Sequence, residues 1–172
     1  MTKRIITGHN AAGRSVIKIN DYGAQGPNNL SELWITDTVP ADNSGEHDTT
    51  GRPVTLGPPD GGVRFRYFRV APESAAAGMD PETRRKLVAE RFAAMDAADA
   101  LVDTTRHPAM HKTRTVDYII LLSGKVTMLL DDDEVDLEPF DVVVQRGTNH
   151  AWVNHGDEEA LLIAVLIDAE AV

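Results

Sequence analysis

The feature that most constrains this chain is the run of residues 115–168, where six strand-length apolar segments follow one another with only short polar breaks between them. They read TVDYIILL, KVTMLL, VDLE, DVVVQ, HAWVN and LLIAVLID, and they are broken at Ser123-Gly124, at the acidic run 131–134 and at Pro139. Closely spaced β-branched segments bounded by turn residues cannot each bury a face alone. They pack as a sandwich or a small closed barrel.

Upstream, the pattern is more mixed. Residues 4–7 and 15–19 are short β-branched runs separated by Gly8, Asn10 and Gly13, which predicts a hairpin, and 33–39 (LWITDTV) is a third strand-like run. Residues 40–62 are dominated by Pro, Gly, Asp, Asn, Ser and Thr and predict a long surface loop. In 63–70 (VRFRYFRV) the alternation places Val63, Phe65 and Tyr67 on one face, taken as the core side, with Arg64 and Arg66 opposite. A helix follows over about 80–102, with Asp80 as N-cap and Pro81 at the first turn. Leu87, Val88, Phe92, Met95 and Leu101 form its apolar stripe, and Asp96, Asp99 and Asp103 lie at the end where the dipole disfavours acids, so a break is expected there.

Composition removes several function classes. The formal net charge of -10 argues against a nucleic-acid partner, whose phosphates require clustered cations. No apolar run approaches a membrane span, and the only apolar pair near the start, Ile5-Ile6, is too short for the core of a secretory signal; the expectation is a cytoplasmic protein with no membrane partner. With no cysteine, any metal would need His, carboxylate or other oxygen ligands.

On a strand, residues two apart share a face, so His111, Thr113, Thr115 and Asp117 form one inward polar row and His150, Trp152 and Asn154 a second. The first segment reads His111-Lys112-Thr113, three residues, Asp117, six residues, Gly124; the second runs from Gln145 through Gly147 and His150 to Asn154. These resemble the two motifs of the cupin superfamily, H-x-H-x(3,4)-E-x(6)-G and P-x-G-x(2)-H-x(3)-N. Thr113 stands for the second histidine, Asp117 for the glutamate and Gln145 for the proline, while Thr105 and Phe140 occupy glycine positions of the family pattern.

The resemblance implies an all-β, cupin-type antiparallel β-barrel (jelly roll) with extra N-terminal strands and one inserted α-helix. It reads as one domain over 1–172, with strands and loop in 1–62 and the barrel in 63–168. It further implies a divalent transition metal (iron, manganese, nickel, zinc or copper) on His111, Asp117 and His150, with no organic cofactor, and a homodimer. The implied activity is an oxygenase or lyase acting on a small, largely apolar or aromatic metabolite, with His111, Asp117, His150 and Thr113 as catalytic residues and Phe65, Tyr67, Trp152 and Asn154 lining the pocket. Two alternatives stay open: a metal-free dehydratase, isomerase or lyase using the same His and Asp groups as acids and bases, and a non-catalytic small-molecule binder.

Overall fold

A computed structural model describes residues 3–23, 26 and 29–170. All six strands expected in the C-terminal stretch are present: β5 (Thr115–Ser123), β6 (Val126–Leu129), β7 (Glu134–Leu137), β8 (Val142–Arg146), β9 (Ala151–Val153) and β10 (Ala160–Asp168). Ahead of them come the β1 (Arg4–His9) and β2 (Ser15–Asp21) hairpin, then β3 (Leu30–Thr36), β4 (Val63–Val70) and the helix α1 (Pro81–Ala93).

The strands form a five-stranded sheet in the order β3-β4-β10-β5-β8, a three-stranded sheet β7-β6-β9 and the separate hairpin β1-β2, with every strand pair antiparallel. This is the jelly-roll arrangement, in which alternate side chains of both larger sheets point to a shared interior. The barrel sheet therefore begins at Leu30, not at Val63 as the sequence suggested. Leu33 and Ile35 are buried, and β3 pairs with β4 so that Glu32 lies directly opposite Arg66.

Between β5 and β6 the chain reverses at Gly124, whose φ is +83°. A Cβ there would sit 2.7 Å from the Cα of Ala160 on β10, so the motif glycine answers both a left-handed turn and a close strand crossing. The other glycine position is different. Phe140 holds a φ of +76° with its ring in solvent, a conformation that costs any residue with a Cβ.

The helix is shorter than its sequence pattern. Asp80 caps it by accepting from Thr83 N at 2.9 Å, but it stops at Ala93, where Asp96 turns left-handed and Ala97 N closes back onto Phe92 O. The apolar residues expected as one stripe are thus divided. Phe92 is buried from the helix itself, Leu87 faces solvent, and Met95, Ala97 and Ala100 reach the core from the turns that follow.

Candidate active site

A small cavity of about 130 Å³ lies inside the five-stranded sheet, beneath the helix. Backbone pairing builds its first wall. His111 and His150 exchange both hydrogen bonds of an antiparallel bridge, His111 N to His150 O at 2.8 Å and His150 N to His111 O at 2.9 Å. Paired in this way, their side chains emerge side by side, with ring centroids 4.3 Å apart. Regular pairing of β5 starts only at Thr115, yet Thr113 and Asp117 keep the inward alternation, and both line the cavity. Trp152 and Phe68 close one side, their rings 6.0 Å apart, and Phe92 of the helix meets His111 edge-on at 5.0 Å.

The two imidazoles differ in what their Nδ1 atoms do. His111 Nδ1 lies 2.9 Å from Ala109 O and donates to it, leaving Nε2 as an acceptor. His150 Nδ1 lies between two partners, Thr148 O at 3.0 Å and Gln145 Nε2 at 2.9 Å, and the Gln145 amide, oriented because its Oε1 accepts from Gly147 N, also donates Nε2–H to Thr148 O at 2.7 Å. Burial pushes both rings well below the ordinary histidine range, His150 to about 3 with His111 adding to the effect. Both rings are neutral at physiological pH, and His111 presents a lone pair at Nε2.

Asp117 occupies a different corner. It is 4% exposed, Thr115 donates to it, and its Oδ1 has no partner. Burial raises its pKa to about 6, opposed by the Thr115 hydrogen bond and by the nearby charge of Arg66. Thr113 Oγ1 is hydrogen-bonded to Thr115 Oγ1 at 2.7 Å, which extends the same chain of hydroxyls.

The sequence reading placed the arginines of β4 outward, and the structure reverses this. Arg64 and Arg66 are 4% and 2% exposed, while Phe65 and Tyr67 lie on the other face of β4 and are absent from the cavity wall. The reason is a set of partners that periodicity cannot reveal. Glu32 Oε1 accepts from Arg64 Nη1 at 3.0 Å and from Arg66 Nη2 at 2.5 Å, and the loop carbonyls of Thr55, Leu56 and Gly57 take further guanidinium hydrogens. A buried guanidinium with this many acceptors is tolerated where a bare one is not. That part of the 40–62 loop is accordingly folded inward, and Leu56 lines the cavity.

Asn154 is a second correction. It is fully buried, but its amide donates to Val70 O and Glu158 O and its oxygen accepts from Gly156 N, so it ties two loops together and does not line the cavity. His107 instead joins a cluster with Glu73 and Arg84 away from the cavity, as Glu73 contacts Arg84 at 2.6 Å. The site residues that sequence reasoning missed are Arg66, Glu32, Phe68, Phe92, Leu30 and Leu56. A Glu on one strand and an Arg-x-Arg on the next was the available signal, and only strand register makes it readable.

The three residues expected to hold a metal do not form one ligand set. Among the described residues no group of three or more His, Asp or Glu side chains is placed to share an ion.

Residues 102–166 match the family model of the cupin domain. This part of the chain is a cupin domain. Among curated proteins this cupin is similar to the phomopsin biosynthesis cluster protein C' of Diaporthe leptostromiformis, with 48% identity over 46 residues. That match covers 26% of this chain and only 24% of the relative. It is also similar to the cupin-domain-containing oxidoreductase fogC of Aspergillus ruber, 27% identical over 98% of this chain and 73% of the relative. Among solved structures, a Cupin 2 conserved barrel domain protein from Salinispora arenicola aligns with a TM-score of 0.42 at 18% identity, covering 86% of this chain and 82% of that one.

Proposed function

We propose that this cupin is an enzyme that moves a proton on a small, largely apolar single-ring organic molecule, with Asp117 taking and returning the proton. The observation that carries the reading is the Asp117 carboxyl, enclosed in the cavity with Oδ1 unpartnered. A native buried polar atom left without a partner is rare and calls for an occupant. A carboxyl whose pKa lies near 6 is populated in both forms close to neutrality, which is where an acid–base group works best.

The cavity sets the size and polarity of the substrate. A void of about 150 Å³ in another protein accepts benzene, so about 130 Å³ admits one ring with a small substituent. Its wall is mainly Leu30, Leu56, Phe68, Phe92, Ile119 and Trp152, which suits an apolar ring. In the reaction a C–H bond breaks, the proton passes to Asp117 Oδ1 and the electron pair moves onto the substrate. Return of the proton at another carbon gives an isomer, and loss of a neighbouring leaving group gives an elimination. His111 Nε2 offers an acceptor that fixes the ring.

The relative from Aspergillus ruber, described as an oxidoreductase, supports an enzymatic role, and proton removal from carbon is a step that many carbonyl oxidations share with isomerisation. The test uses chelator-dialysed protein and cyclohexanone in D2O, with deuterium at the α-carbon followed by mass spectrometry. Exchange should exceed the buffer rate, rise as pH passes upward through about 6, and vanish in Asp117→Asn. Equal exchange in wild type and Asp117→Asn would refute the reading. Stabilisation of the fold by cyclohexanone without exchange would favour a pure binding protein.

A further inference from the structure

The proton reading leaves one buried group unused. Four buried side-chain atoms among the described residues have no hydrogen-bond partner, and three of them are Arg66 Nε, Glu32 Oε2 and Asp117 Oδ1, from one charged cluster. Arg66 lines the cavity, and both its Nη atoms are committed, Nη1 to Leu56 O at 3.1 Å and Nη2 to Thr55 O at 2.7 Å and to Glu32. Nε–H has no partner at all, and one hydrogen of Nη1 is also untaken. An arginine held at both ends of its fork cannot swing away to find water, so its Nε–H is fixed in direction.

Register places this donor relative to Asp117. The central strand β10 runs between β4 and β5, with Ala164 opposite Arg66 on one side and Ile119 on the other, while Leu166 lies opposite Arg64 and Asp117. Arg66 and Asp117 are therefore diagonal neighbours on the inner face with β10 between them. The diagonal passes between Ala164 and Leu166, both in the cavity wall, and the small side chain of Ala164 leaves room for a ring beside Arg66.

We propose that Arg66 is the carbonyl-binding residue of this site: its Nε–H holds the oxygen of a cyclic ketone whose adjacent carbon lies against Asp117 Oδ1. The proposal rests on the proton-transfer reading for the role of Asp117 and names the substrate class that reading leaves open. Charge supports the pairing. Glu32 offsets one of the two buried guanidinium groups, and ionised Asp117 offsets the other. When the α-carbon proton passes to Asp117, its negative charge is lost there and reappears on the ketone oxygen as an enolate, held by Arg66. The net charge of the buried cluster stays constant through the step, so no charge must be solvated from outside.

The experiment is carbon-13 NMR of cyclohexanone labelled at the carbonyl, bound to the full chain. A guanidinium donor stronger than water moves the carbonyl resonance downfield of its aqueous position, whereas an apolar cavity without a donor moves it upfield. Wild type and Asp117→Asn should both show the downfield shift, and cyclohexanone should bind at least about tenfold more tightly than methylcyclohexane. Arg66→Met should remove the shift and that preference. Should Arg66→Met fail to fold, Ala164→Leu, which fills the gap beside Arg66, should abolish cyclohexanone binding in a folded protein.

An upfield bound resonance, equal affinity for methylcyclohexane, absence of cyclohexanone binding, or retained binding in folded Ala164→Leu would each overturn the proposal. The two ideas fail separately. A downfield resonance with no Asp117-dependent exchange refutes the proton reading alone, and Asp117-dependent exchange with an upfield resonance refutes the Arg66 role alone.

Discussion

The two ends of the barrel interior are built from the same two strands and do opposite things. Along the inner face of β5 the side chains run Asp117, Ile119, Leu121, and on β10 the residues paired with them are Leu166, Ala164 and Leu162. At the Leu121 end, Leu121, Leu162, Val126, Leu137 and Ala160 close into an apolar core. At the Asp117 end, four charged side chains, Glu32, Arg64, Arg66 and Asp117, are buried, and two of them, Arg66 and Asp117, line a cavity. One end is packed at the expense of chemistry and the other is polar at the expense of stability, so a site with orphaned donors and acceptors survives because the packed end carries the fold.

That contrast can be broken from either side. The largest effect is expected at the packed end, where Leu121→Ala removes a fully buried side chain and should cost about 3 kcal/mol in denaturant unfolding. A cost no greater than that of a surface alanine would mean that this end does not carry the fold.

At the polar end the sign should invert. A folded-state pKa of about 6 against an ordinary 3.8 means that ionising Asp117 destabilises the fold, with the penalty growing as pH rises from about 3.8 to about 6 and constant above. Asp117→Asn removes it, so the variant should be more stable than wild type by roughly 3 kcal/mol at pH 8, and the gain should shrink toward zero at pH 4. A loss of stability at pH 8 would show that the carboxylate is a structural partner of Arg66 more than a strained functional group.

The smallest effect is acid sensitivity. His150 is held neutral down to about pH 3 in the folded protein but takes a proton near 6.5 when unfolded, so stability is lost as pH falls below 6.5. From pH 7 to pH 5 the His150 contribution is about 2 kcal/mol. His111 acts in the same direction, and Asp117 offsets part of the loss between about 6 and 3.8. Thermal melts across this range in wild type and His150→Gln should show the wild-type decline and a flatter profile in the variant; identical slopes would sink the assignment of a buried neutral His150.

How far the sequence could be read depended on whether local pattern or register carried the information. The six C-terminal strands and the Asp80 cap were legible because turn residues, β-branched runs and a side-chain cap are local features. His111, Thr113, Asp117, His150 and Trp152 were legible as inward residues because motif spacing fixes strand faces. The face of β4 was not: alternation separates Arg64 and Arg66 from Phe65 and Tyr67 but does not say which set is inside. Hydrophobicity favours the aromatics, and the acceptors that overrule it come from Glu32 on β3 and from carbonyls of residues 55–57. The break expected at the acidic residues after α1 is there, where Asp96 turns left-handed, and only the outer bound near 102 overran, because the apolar spacing of Met95 and Leu101 continues past it.

By itself, then, the sequence determined a jelly-roll cupin barrel and the short row of His, Thr and Asp that faces its interior, because both follow from periodicity and spacing along one strand. Only the tertiary structure decided how those groups are used. The neutrality of His150 is set by its enclosure beside His111, the raised pKa of Asp117 by burial that outweighs Arg66 and Thr115, and the separation of the would-be ligands by which segment each occupies. Each of these depends on atoms brought together across the barrel, and such distances are fixed by packing and register.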